Sequence, residues 1–126
     1  MDRITREQMI AEFGEPGVQN PAILDLIRPD RDSGNVVLTM FERRRWGAGP
    51  DQLQQIAEKV NRYLGYALDG HLAEHYPQYK GRRIQICLEC VEAPYGEAIR
   101  FVQAAERAIR ACGIGFEVKV IGPAGE

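Results

Sequence analysis

The chain has 126 residues, 44% of them hydrophobic and 27% charged, with sixteen basic and eighteen acidic side chains for a net charge of −2. That length suits one domain that folds without disulfides or a structural metal. Near-neutral charge excludes a global attraction to nucleic acid or anionic membranes, and no apolar run reaches the ~20 residues needed to cross a bilayer.

The first twenty residues read as an accessory segment, and residues 21–122 as a single α/β domain. Thr5 can cap a short helix that gathers Met9, Ile10 and Phe13 on one side. GEPGVQNP then breaks it and forms a linker. MDRITREQMIAEF is charged and lacks the apolar stretch of a secretion signal. With an odd number of cysteines, three, this points to a reducing, cytoplasmic setting.

Residues 22–28, AILDLIR, predict a strand, followed by turn chemistry in PDRDSGN. Residues 35–43, NVVLTMFER, are the strongest strand by β-branched and aromatic content. Gly49-Pro50-Asp51 opens a helix, and Leu53, Ile56, Val60, Leu64, Ala67 and Leu68 fall on one helical stripe. Asp69-Gly70 stops it, and HLAEHY adds a further short turn before Pro77. Residues 83–91, RIQICLECV, predict a third strand. Pro94 begins a second long helix, with Tyr95, Ala98, Ile99, Val102, Ala105, Ile109 and Cys112 on its inner face, and Gly113 caps it. GFEVKVIG is the last strand.

The order is an N-terminal helix and then β-β-α-β-α-β. Right-handed crossovers place both long helices on one face, giving a two-layer α/β sandwich of about four mixed strands, most simply in order 1-2-3-4. Alternation assigns one sheet face to nearly pure hydrocarbon. The other face is mixed and carries Ile23, Asp25, Ile27, Val37, Thr39, Phe41, Cys87, Glu89, Glu117, Lys119 and Ile121. Its apolar members, Ile23, Ile27, Val37, Phe41 and Ile121, are a candidate interface for a second protomer or a protein partner.

One stretch resembles a known family. Trp46, the helix QIAEKVNRYLGYALDGHLAEHYP with its K-x-N-x-Y-L core, then KGRRIQICLEC, AIRFVQAAERAIRACG and FEVKV are similar to an uncharacterised family of small bacterial proteins, a domain of unknown function. The resemblance covers residues 36–121. It implies a shared fold and carries no activity with it.

Three chemical readings arise. H-x3-H at His71 and His75, followed by C-x2-C at Cys87 and Cys90, has the residue types of a zinc site. But Cys87 and Cys90 lie within a strand, where i and i+3 point to opposite faces, so no metal and no cofactor is assigned. Arg43, Arg44 and Arg45 beside Trp46 and Tyr95 lie at the carboxyl ends of the parallel strands, where α/β sheets place ligands; an anion or phosphorylated metabolite is the expected occupant. ERRRW (42–46) and YKGRR (79–83) both mix arginine with aromatics, as RNA-binding surfaces do, but parallel strands put them at opposite ends of the sheet. That argues against nucleic acid. The reading favoured is a non-enzymatic interaction module that self-associates, as a homodimer, or binds a protein partner. An anion binder or enzyme, and a weak RNA binder, are the alternatives.

Overall fold

The computed structural model describes residue 17 and residues 25–122. The expected N-terminal helix, and Ile23 with it, lie outside the described residues. From Asp25 onward the chain forms β1 (Leu26–Pro29), β2 (Val36–Glu42), α1 (Gln52–Leu68), α2 (His71–His75), a 3-10 turn (Pro77–Tyr79), β3 (Ile84–Cys90), α3 (Glu97–Ala111) and β4 (Gly115–Val120). The four strands make one sheet in the order β1-β2-β3-β4. β1 runs antiparallel to β2, and β2, β3 and β4 run parallel. This is the mixed α+β sheet that the sequence predicts.

The core lies between the sheet and the two long helices. Val36, Leu38 and Met40 of β2, Ile86, Leu88 and Cys90 of β3, and Phe116 of β4 meet Ile56, Val60 and Tyr63 of α1 and Ala98 and Ile109 of α3. These strand residues alternate with outward-facing ones, as the pleat demands.

Three expectations need correction. Register pairs Leu26 with Thr39 and Ile27 with Leu38. Residues paired across strands share a face. Ile27 therefore packs on the helix-side core rather than on the mixed face, and Leu26 takes the mixed face instead. The one-residue difference inverts every β1 side chain, so Asp25 is also on the helix side. Second, α3 starts at Glu97, three residues after Pro94, which leaves Tyr95 54% and Ile99 43% exposed. Third, Cys112 falls just past the helix end and is exposed.

Candidate functional site

A polar cluster inside the core ties the chain together. The Asp25 carboxylate forms an ion pair with the Lys59 ammonium, and both side chains are fully buried. Asp25 also accepts hydrogen bonds from the Gly17 and Phe41 amides, each at 2.9 Å. Lys59 Nζ donates to the Gly17 carbonyl at 2.6 Å. The Tyr63 hydroxyl accepts from the Asp25 amide and donates to the Thr39 carbonyl. Burial pulls Lys59 below the ordinary lysine value, against the opposing pull of Asp25. Burial, then Asp25, pushes Tyr63 up, so it stays a neutral hydroxyl. Sequence reasoning missed this cluster. One signal was readable, since Lys59 interrupts the apolar stripe between Ile56 and Tyr63; Asp25 gave none, because alternation assigned it to the mixed face.

At the carboxyl ends of the parallel strands, three of the five candidate anion-binding residues, Arg44, Trp46 and Tyr95, are engaged by partners within the chain. Glu42, a buried carboxylate, accepts from Arg44 Nε at 2.8 Å and Nη2 at 2.7 Å, and from the Arg44 amide. Two charge-assisted bonds in a planar fork hold this guanidinium in place. The Trp46 indole is buried; its Nε1 donates to the Glu92 carbonyl at 2.9 Å, and its amide donates to Glu92 Oε1. Gln52, at the first turn of α1, donates to the Arg45 carbonyl and accepts from the Gly47 amide. The Tyr95 hydroxyl donates to the Trp46 carbonyl at 2.9 Å. Arg43 and Arg45 are exposed, with Arg43 over the Phe41 ring at 5.2 Å. The structure thus ties Trp46 and Tyr95 to each other and to Glu92, and holds Arg44 separately on Glu42. Lys80–Arg83 precede β3 and lie at the other end of the sheet, with Arg82 over Tyr79.

The H-x3-H and C-x2-C residues do not converge. Cys87 pairs with Thr39 on the face away from the helices, and Cys90 packs in the helix-side core. His71 and His75 form an aromatic group with Tyr66, whose hydroxyl is 2.9 Å from His75 Nδ1. Among the described residues, no three or more His, Cys, Asp or Glu side chains are grouped to hold a metal ion.

The face away from the helices carries Leu26 and Arg28 of β1, Val37, Thr39 and Phe41 of β2, Gln85, Cys87 and Glu89 of β3, and Glu117 and Lys119 of β4. Among the described residues no helix packs on it. It holds a concavity of about 600 Å³ whose lining includes Arg28, Val37, Thr39, Cys87, Glu89 and Lys119. Thr39 and Cys87 form its floor, each only 3% exposed. The β1–β2 turn forms one wall, held rigid by Asp30, which accepts from the Ser33 amide and hydroxyl. These bonds keep the Asp30 carboxyl below its usual value. Of the five candidate interface residues, Val37 and Phe41 lie on this face, Ile121 follows β4 at its margin, and Ile27 does not contribute.

Burial pushes the Cys87 thiol up to about 12, reinforced by Glu117 and Glu89; burial, then Glu42 and Glu92, pushes Cys90 up to about 11. Neutral thiols are poor nucleophiles. At pH 8, the exposed Cys112 should react with an aromatic disulfide reagent within seconds to minutes. Cys87 and Cys90 should react only on unfolding, two equivalents appearing together with the loss of circular dichroism. Rapid titration of all three thiols in the native protein would contradict this placement.

A sequence profile of one family matches residues 17–122, from the Gly17 contact of the buried cluster to just past β4. The chain belongs to DUF6572, a family of unknown function. No curated protein and no solved structure matches it. The DUF6572 region therefore takes in the whole described sheet, both long helices and every candidate residue above.

Proposed function

We propose that the protein is a non-enzymatic interaction module, working in a reducing, cytoplasmic setting, and that the sheet face away from the helices receives a segment of a protein partner. One observation carries this reading: a concavity of about 600 Å³ over Val37, Thr39 and Cys87 whose walls are mostly charged, with both signs present, from Arg28–Asp32 on one side to Glu89, Glu117 and Lys119 on the other. Charges of both signs around a small buried floor suit a partner segment of complementary charge, because such complementarity fixes partner choice and register. The chemistry of the floor supports binding over catalysis, because a thiol held neutral and a threonine offer contacts and weak hydrogen bonds rather than a nucleophile. At the strand ends Arg44 is held by Glu42, and Trp46 and Tyr95 by Glu92 and each other, which leaves Arg43 and Arg45 as the exposed guanidiniums there.

The test pairs two substitutions that fill the concavity, Val37→Arg and Glu89→Arg, with Arg43→Ala/Arg45→Ala at the corner. The partner is identified by co-purification, and binding is then measured between purified components by calorimetry. Face variants should weaken binding at least ~tenfold, on the scale of losing one central contact, with little change in melting temperature, and the corner variant should not. The reverse pattern would move the binding surface to the strand ends and overturn the reading.

A further inference from the structure

The outer edge of β4 has no neighbouring strand among the described residues. It is a six-residue strand, and on its outer side the Phe116 carbonyl accepts from Arg110 Nη2 at 3.2 Å, which uses one of the two lone pairs of that oxygen. The Ile121 amide donates to the Cys90 carbonyl at 2.9 Å, toward β3. Backbone groups of successive strand residues point to opposite edges. Those of Glu117 and Lys119 therefore face β3, and those of Phe116, Val118 and Val120 face outward. An open edge of this kind is a template for another strand.

We propose that two copies of this chain pair β4 to β4, antiparallel, about a two-fold axis at Val118. The sequence Gly115-Phe116-Glu117-Val118-Lys119-Val120-Ile121 is self-complementary about that point. Phe116 meets Val120 of the second copy and Val118 meets Val118 through their outward backbone groups, with the Phe116 carbonyl shared with, or released by, Arg110. Glu117 faces Lys119 of the second copy, twice, at a non-hydrogen-bonded position where side chains approach most closely. Ile121 lies opposite Gly115, which has no side chain to obstruct it. Val120 and Ile121, 48% and 55% exposed in the single chain, become covered.

Charge selects this register over its neighbours. Only registers that oppose outward backbone groups can form the ladder. Moving the axis to residue 117 sets glutamate against glutamate, and moving it to residue 119 sets lysine against lysine. Like charges directly opposite destabilise a strand pair, and opposite charges stabilise it. The axis at Val118 gives two favourable pairs and an unbroken apolar row on the helix side. The product is an isologous dimer with one continuous eight-stranded sheet. Its two concavities lie side by side, bordered by the Glu117–Lys119 pairs. This pairing uses the edge of the sheet, so it stands or falls apart from the partner-binding reading of the open face.

Native mass spectrometry and sedimentation of the full chain test it, using Glu117→Lys, Lys119→Glu and a 1:1 mixture of the two. Both positions are exposed, and circular dichroism melts check that the variants fold. The unsubstituted chain should be a dimer. Each single variant sets like charges opposite twice and should raise the dissociation constant roughly tenfold or more. The mixture should form heterodimers, because lysines of one chain then face glutamates of the other. Val37→Arg, on the open face, should leave the dimer intact. A monomeric unsubstituted chain at micromolar concentration, single variants that dimerise as tightly as it does, or a mixture that fails to cross-pair would each overturn the proposal.

Discussion

Asp25→Ala should destabilise the fold by ~3–5 kcal/mol, the range found when one partner of a buried ion pair is removed. The substitution takes the carboxylate from Lys59 and also leaves the Gly17 and Phe41 amides without their acceptor. Lys59→Met should cost less. It removes the ammonium and its bond to Gly17, but Asp25 keeps both amide donors. Replacing both residues by apolar ones should recover part of the loss relative to Asp25→Ala, since the pair trades Coulomb attraction against desolvation. Urea unfolding of the three variants gives the ordering directly. A loss below ~1 kcal/mol for Asp25→Ala would mean that water reaches this cluster.

The pH dependence of Asp25→Ala has a defined sign. Lys59 already titrates below its ordinary value of 10.5, and Asp25 is what holds it up against burial. Without Asp25 its folded value drops further. Between that value and the higher folded value of the unsubstituted protein, the folded variant binds fewer protons than the folded unsubstituted protein, while the two unfolded chains bind alike. Stability of the variant, relative to the unsubstituted protein, therefore rises with pH through that window. A deficit that stays constant from pH 7 to 10 would count against this origin.

Trp46→Ala should have an effect of similar size, ~3–5 kcal/mol for a buried aromatic. Trp46 is 4% exposed and packs in the core, and its Nε1 fastens the segment after β2 to the Glu92 carbonyl after β3. Trp46→Phe keeps most of the packing and removes that hydrogen bond. Its cost should be nearer ~1–2 kcal/mol, the bond plus a buried carbonyl left without its donor. Circular dichroism must follow the first variant, since it removes the chain's single tryptophan. If Trp46→Ala left stability unchanged but abolished binding of an anion, the corner would be a ligand site after all and not a staple.

Much of this could be read from local pattern. Val36–Glu42 and Ile84–Cys90 are dense in β-branched and apolar residues, and the stripe from Ile56 to Leu64 has helical spacing; local preference and burial agree there, so the elements form where they are expected. The strand order followed from short connections and the handedness of crossovers. The opposite faces of Cys87 and Cys90 followed from the period of a strand alone.

What the sequence by itself determined is thus the four strands, the helices that cover one side, and the opposite faces of Cys87 and Cys90. Only the tertiary structure decided the rest. It set the β1 register, because a four-residue edge strand has too little hydrophobic contrast to specify which side faces in; the Asp25–Lys59 contact supplies the missing specification from 34 residues away. It also decided that Glu42 takes the Arg44 guanidinium, that Glu92 takes the Trp46 amide and indole, and that Gln52 donates to the Arg45 carbonyl, which no spacing along the chain announces. Periodicity reports which way a side chain points. Which partner it meets there depends on distances that close only when separate elements pack.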